Sequence, residues 1–454
     1  SDVCSSDLLK LPDKFLRQFQ IALLGNLYQQ KGQFETAAET YRAAIKNLQP
    51  DSPDLYFFLG IFLQNNCFFR LAKECYFMSF RKPSSYFAKV YIQLGWCLKI
   101  LDEIPEAKAA YEKALSFNAD DVQALSYYRE LQLLLCDWSD YESSINLPET
   151  QQAADYFSSK QNGLPASLVL SLLPVKISAH KAAAEGRANA IIKSMAEVKK
   201  RCNFYYPIAP QDKLRIGYIS PDFREHPVGI LTHQIFQHHN KDDFEIYIYS
   251  TVAQKDGFTK TIQGSCQVFR NISDLSAEAA ARQIHADGIQ ILIDLAGYTA
   301  HSRPEILALK PAPIQCSYLG YPDTMGADFI DYFLADRWLV TSEIEREFTE
   351  EIIKIPHYFC GSALEISEPK FTRQRWGLPA DGIVFCCFNT HYKINPEVFR
   401  VWMEILQQVP GSVLWLSEPK SPLTSENLRR EAAEFGINSN RLIFAKKLPL
   451  PDYL

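Results

Sequence analysis

The sequence predicts an α-helical repeat array followed by two Rossmann-like α/β domains, the second of them incomplete, and three observations predict it. Residues 22 to 118 carry three residue series that recur at one spacing. From Lys213 onward, short apolar runs rich in β-branched and aromatic residues alternate with helical patterns, which is the pattern of a mostly parallel, doubly wound sheet. A second series of this kind begins at residue 383 and stops after three candidate strands. An open sheet of that size needs cover on both faces, so the chain is expected to be a fragment of a longer protein.

The repeat is the clearest signal. Leu24-Gly25, Leu59-Gly60 and Leu94-Gly95 stand 35 residues apart, as do Ala37, Ala72 and Ala107, and Tyr41, Tyr76 and Tyr111. A period near 34 with these residue types marks tetratricopeptide helix pairs. Gly on the first helix and Ala on the second would let the two cross closely, with Tyr filling the groove between repeats. Gly32 and Asp102 fall at the hairpin turns, and Pro50 and Pro83 near the ends of second helices. A generic helical bundle would need all three series to coincide. Asp121 to Leu135 reads as one more first helix, and CDWSDYESS (136–144) breaks the pattern. Arrays of this kind present a concave surface to protein segments.

The expected divisions are a leader and first helix at 1–21, repeats at 22–144, a helical connector at 145–211, a first Rossmann-like domain at 212–370 and a second, truncated one at 381–454. The connector holds a Pro-containing segment (164–174), a helix from His180 to Lys200 and a Pro-punctuated linker, FYYPIAPQDK. His180 at a helix start reads as structural or solvated. Candidate strands in the first domain are 214–219, 244–250, 289–295, 314–319, 331–335 and 351–355, with helices at 276–286 and 304–309. The second domain reads as strand 383–388, helix 396–409, strand 412–416, helix 425–435 and strand 441–444.

Composition narrows the function. With 454 residues, 47% hydrophobic and 22% charged, the chain is ordinary for a globular protein of several domains. A net charge of -6 gives no electrostatic ground for a nucleic-acid partner, and the one basic run, Lys199-Lys200-Arg201, reads as a solvated helix end. No apolar stretch reaches the roughly 20 residues of a membrane span. The 11 cysteines form no CxxC pair and no Cys/His cluster at metal spacing, and Cys386-Cys387 read as buried free thiols, which fits a reducing cytoplasm. No GxGxxG, Walker loop or GxSxG elbow occurs, which removes the usual support for nicotinamide, ATP or serine-hydrolase chemistry.

Two strand ends carry candidate chemistry. In LRIGYISPDFREHP (214–227) an apolar run stops at Ser220-Pro221, so Asp222 and His226 follow a strand's carboxyl end, where ligands of α/β sheets bind. Both could do acid-base or orienting work; equally, Asp222 could be a turn former and His226 merely precede a Pro. In FNTHYKINPEVF (388–399), Asn395 is expected to cap a helix that has Pro396 at its first position. Lys393 then precedes a helix N-terminus, which suits a pyrophosphate but also fits an unremarkable surface lysine. Two such domains joined near 365–380 would form a cleft for a nucleotide and an acceptor. A third segment (297–332) is rich in Gly, Pro and Tyr, and its His301 is expected to be exposed.

The repeats, CDWSDY (136–141), LRIGYISPDFREHP, LALKPAPIQCSYLGYPDTMGADFIDY (307–332) and FNTHYKINPEVFRVWMEILQQVPGSVLWL (388–416) together resemble the tetratricopeptide-bearing protein O-GlcNAc transferases and the related plant SPINDLY proteins. The resemblance runs from about residue 20 onward. It implies a GT-B glycosyltransferase that inverts at the anomeric carbon, needs no metal or other cofactor, and moves a sugar from UDP-GlcNAc to Ser or Thr hydroxyls of cytoplasmic proteins recruited by the repeats. Carried over by motif, Asp222 and His226 match the acceptor-side loop. Pro227, Leu319 and Gly320 match the sugar pocket, and Asn389, Thr390, Tyr392 and Lys393 match the donor loop, where the lysine neutralises the departing diphosphate. The chain also departs from the animal enzymes. It has no His in 165–174, Val228 stands for Thr and Thr390 for Gln, as in the bacterial and SPINDLY branch, which keeps GDP-fucose open as donor. The family's Gly/Thr-rich donor loop would lie beyond Leu454, so this fragment alone is expected to be inactive. A repeat scaffold with a dead transferase fold is the alternative of another class.

Overall fold

The computed structural model describes residues 33–46, 53–65, 68–81, 86–119, 121–139, 177–206, 212–357 and 372–449, together with Gly25, Tyr28 and Asp452. The expectations for the leader, Leu24, Gly32, Pro50, Pro83, the 164–174 segment and much of the 365–380 joint lie outside these residues. The chain divides into two compact units, one of residues 1–140 and 371–447, the other of 141–370 and 448–454.

The first unit opens with helices α1 (Phe34–Lys46), α2 (Pro53–Asn65), α3 (Phe69–Ser79), α4 (Phe87–Ile100), α5 (Ile104–Phe117) and α6 (Val122–Leu134). The recurring residues form its core: Ala37, Ala72 and Ala107 are fully buried, as are Tyr41, Tyr76 and Tyr111. The glycines have a more specific task than helix crossing. A β-carbon at Gly25, Gly60 or Gly95 would lie 2.6, 2.5 or 2.7 Å from the ring of Tyr41, Tyr76 or Tyr111 respectively. Each Gly therefore seats the Tyr of its own repeat. That ring then reaches onward, as Tyr41 does to Phe68 (4.7 Å between centroids) and Tyr111 to Tyr127 (5.3 Å). Asp102 takes a left-handed φ of 65° at the α4–α5 turn, and the Asp121 side chain caps α6 by accepting from the Ala124 N–H.

The second unit contains α7 (Ile177–Cys202) and the strands β1 (Leu214–Ser220), β2 (Phe244–Ser250), β3 (Val268–Asn271), β4 (Ile291–Asp294), β5 (Ile314–Tyr318), β6 (Tyr332–Asp336) and β7 (Glu351–Ile355). Between them run α8 (Pro227–Thr232), α9 (Gly257–Ser265), α10 (Ala277–Ala286) and α11 (Pro304–Ala308), besides single-turn helices. The seven strands form one parallel sheet in the order β3-β2-β1-β4-β5-β6-β7. The order reverses between β1 and β4, the switch point where ligands bind in open sheets. Strand β3 is absent from the sequence reading because VFRN, on the sheet edge, buries none of its residues fully and carries no apolar run. His180 near the start of α7 is structural: its Nδ1 lies 2.7 Å from Asp323 Oδ2. The helix also receives Gly326, where a β-carbon would lie 2.3 Å from the Glu185 nitrogen. Its basic end is exposed, with Lys200 bonded to Glu197 and Arg201 to Glu278.

The first unit closes with β8 (Val384–Cys387), α12 (Pro396–Gln408), β9 (Val413–Ser417), α13 (Pro422–Glu434) and β10 (Leu442–Ala445), whose strands form a parallel sheet in the order β10-β9-β8. The expectation of a buried Cys386-Cys387 pair is corrected here: Cys386 is exposed and Cys387 half-buried, because β8 lies on the edge of its sheet. This part packs on the end of the repeat array. Thr424 Oγ1 and Asn427 Nδ2 donate to the carbonyls of Leu134 and Leu135 (3.3 and 3.0 Å), satisfying terminal acceptors of α6 that have no helical partner. Trp138 packs on Phe399 at 5.2 Å. The CDW break in the repeat pattern is thus this seam. No helix among the described residues is long and apolar enough to cross a membrane.

Candidate active site

The turn after β1 is held from all sides. The Asp222 N–H donates to Ser220 Oγ (3.0 Å), Arg224 N–H to the Asp222 carbonyl (2.8 Å) and His226 N–H to the Arg224 carbonyl (2.7 Å). From α9, its N-cap Asp256 accepts from the Glu225 N–H (2.5 Å), and Thr259 Oγ1 donates to the Phe223 carbonyl (2.8 Å). Beneath lies Gly229, where a β-carbon would sit 2.1 Å from the Arg224 carbonyl oxygen and 2.5 Å from that of Asp222. Only a residue without a side chain allows this fold-back.

Asp222 is buried within this turn. Its Oδ1 lies 3.5 Å from Arg224 Nη2 and its Oδ2 3.5 Å from His226 Nδ1. Burial pushes its carboxyl above the ordinary value, against the pull of His226, Arg224 and His301. Burial also pushes His226 below the ordinary imidazole value; Asp222 opposes that shift and Arg224 adds to it. His226 caps α8, its Nδ1 accepting from the Val228 N–H at 3.3 Å, with Pro227 at the first helical position.

The adjoining turn after β5 is equally tight. Leu319 adopts a left-handed φ of 67°, a strained state for a branched residue that is typical of functional sites. At Gly320 a β-carbon would lie 1.8 Å from the Leu295 carbonyl oxygen and 3.1 Å from Val228 Cγ2. The ends of β4 and β5 and the start of α8 therefore converge, which brings Asp222, His226, Pro227, Leu319 and Gly320 to the switch-point end of one sheet. His301 is exposed, as expected, at φ 61°. Sequence reasoning missed Asp294 at the end of β4. It is fully buried, its carboxylate accepts from the N–H groups of Ala296 (3.1 Å) and Gly297 (2.8 Å), and burial raises its pKa to about 6. Its only sequence signal is an Asp closing an apolar run.

The donor-loop candidates lie in the other unit. After β8 a 3-10 turn spans His391–Lys393, Asn395 caps α12 by accepting from the Val398 N–H (2.8 Å), and Pro396 is its first residue. Asn389, Thr390 and Lys393 are exposed, and Tyr392 is half-buried. Lys393 Nζ has no ion pair among the described residues, whereas the sequence reading overlooked His391, the residue that fixes the turn. Its Nε2 lies 2.8 Å from the Ser417 carbonyl oxygen, and its own carbonyl accepts from Cys136 Sγ (3.5 Å) at the end of the repeats.

A family model described as Glycosyl transferase family 41 matches residues 135–369 and 361–451. The chain belongs to glycosyl transferase family 41. Tetratricopeptide models match residues 25–66 and 88–121 of this family 41 chain. Among curated relatives, the probable UDP-N-acetylglucosamine–peptide N-acetylglucosaminyltransferase SEC of Arabidopsis thaliana is 38% identical over 51% of this chain and 24% of its own length. The corresponding Caenorhabditis elegans transferase is 25% identical over 69% and 37%. The probable transferase SPINDLY of Solanum lycopersicum is 30% identical over 45% and 22%. The chain thus spans well under half the length of these relatives. A mutant O-GlcNAc transferase of Thermobaculum terrenum has the same fold, with a TM-score of 0.63 at 21% identity over 98% of this chain and 76% of its own.

Proposed function

We propose that this family 41 chain belongs to an enzyme that transfers GlcNAc from UDP-GlcNAc to Ser or Thr hydroxyls of proteins gathered by the repeats, with inversion and without a metal. The observation that carries this reading is the presence of both the DFREHP and the FNTHYK strand-end loops in a chain whose family match runs through both sheets. In the reaction the acceptor oxygen bonds to the anomeric carbon as the bond from that carbon to the diphosphate breaks; the bonding electrons leave with UDP, and the hydroxyl proton passes through a base to solvent.

Lys393, an exposed cation on a short turn, supplies positive charge to the leaving diphosphate, a contribution that grows as charge develops. Asp222 and His226 orient the acceptor and the sugar. Pro227, Leu319 and Gly320 line the sugar site, and Asn389, Thr390 and Tyr392 shape the donor loop. That the Arabidopsis and Caenorhabditis relatives are named as UDP-N-acetylglucosamine transferases supports UDP-GlcNAc as donor.

The test incubates the protein, expressed at the full length of its gene, with radiolabelled UDP-GlcNAc or GDP-fucose and a cell lysate. Label from UDP-GlcNAc on Ser or Thr is expected. Label from GDP-fucose alone would overturn the donor, and label from neither would overturn the activity in favour of a non-catalytic scaffold.

A further inference from the structure

Arg224 and the Nδ1 atom of His226 are placed for a task that the transfer reading leaves open. The Val228 N–H points at His226 Nδ1 at 3.3 Å, so that nitrogen is an acceptor and the neutral ring carries its proton on Nε2. Nε2 has no partner among the described residues, and the ring is 37% exposed. Asp222 Oδ2, 3.5 Å from the same Nδ1, could take a hydrogen bond from it only in a ring protonated on Nδ1, neutral or doubly protonated, that gave up the Val228 N–H. The Val228 N–H aimed at Nδ1 opposes either form, and the partial burial of the ring and the Arg224 guanidinium oppose the doubly protonated one. The guanidinium is anchored between Asp222 Oδ1 (3.5 Å) and Gln254 Oε1 (3.3 Å), and its buried Nε has no partner among the described residues.

We propose that His226 presents a neutral, Nε2-protonated imidazole to the bound ligand as a hydrogen-bond donor rather than as a base, and that Arg224 is the positioning residue that holds it in this form. The inference deepens the transfer reading and rests on it for the identity of the ligand, a sugar or acceptor oxygen. It assigns proton abstraction from the acceptor to some group other than His226 Nε2. The charged groups that act on the ring are Asp222 and Arg224 of its own loop; Glu225 is its neighbour in sequence and is tied by its N–H to Asp256 at the start of α9, and His301 beyond β4 acts on Asp222. Of these, Asp222 favours the imidazolium and Arg224 opposes it.

The test is 15N NMR of the histidine-labelled chain between about pH 5 and 8, with His226 among the nine histidines identified by comparison with His226→Gln. The neutral ring is expected to show the Nε2–H correlation pattern and to titrate below the ordinary imidazole range. Arg224→Gln is expected to raise the midpoint by about 0.5–1 pH unit, and Arg224→Lys, which keeps the charge, to leave it low. In the active full-length protein the acid limb of kcat/KM is expected to follow the same shift. An Nδ1–H pattern in the neutral ring, or an unchanged midpoint in Arg224→Gln, would overturn the proposal. Because the NMR readout needs no turnover, it stands or falls separately from the transfer activity.

Discussion

The two strand-end turns each follow the first strand of their sheet in chain order and are built in opposite ways. The β1 turn is shape: Asp222 is buried, the N–H groups of residues 222, 224, 225 and 226 are all bonded, and Gly229, with Gly320 of the adjoining β5 turn, leaves no space for even a methyl group. The β8 turn is charge: Lys393 stands in solvent, and the turn beneath it is fixed by His391 and the end of the repeat array. The first turn should therefore tolerate almost no change in volume. The second should tolerate substitution structurally while losing function.

Four substitutions probe that contrast, ordered by their expected effect on stability. Gly320→Ala forces a methyl group into the Leu295 carbonyl oxygen and should cost about 3 kcal/mol, read by chemical denaturation; near-parental stability would mean the turn yields freely. Asp294 comes next. Its folded pKa of about 6 lies above the unfolded value near 3.9, so the folded state binds more protons in that window. Ionisation above pH 6 then costs about 2–3 kcal/mol, relieved as pH falls from about 6 to about 4. Asp294→Asn should flatten this part of the stability profile, and a slope surviving in the variant would assign it elsewhere. Asn427→Ala leaves the Leu135 carbonyl without its partner and should cost about 1–2 kcal/mol, with faster hydrogen exchange at 391–394 as the sign that the seam supports the second turn. Lys393→Ala should change stability by less than about 0.5 kcal/mol yet lower kcat in the full-length protein by about 100-fold. Loss of folding together with activity would move Lys393 into the first class of turn.

Most of the sheet was legible in the sequence because its strands read as apolar runs, the central ones through burial and the exposed edge strand β7 through its Ile-Ile-Lys-Ile alone; β1, β2 and β7 fall within a residue of their expected bounds. The capping pattern of Asn395-Pro396 was equally legible, since it depends on neighbours in sequence. Contacts set by tertiary approach were not. Gly229 and Gly320 look like any loop glycine until a carbonyl is found where their β-carbons would be. His391 reads as a filler between Thr390 and Tyr392, because its partner, Ser417, ends another strand. The residue-type signal in CDW marked an interruption, but the partners of Trp138 and of the α6 carbonyls lie far along the chain.

That distance sets a clock on biosynthesis. Leu135 and Asn427 are 292 residues apart. At roughly 5–20 residues per second, the carbonyls that end α6 emerge about 15–60 s before the side chain that caps them. Through that interval the nascent repeat array carries an uncovered Trp138 and open helix acceptors at its growing end, so the first unit can finish folding only after the whole sheet of the second has been made.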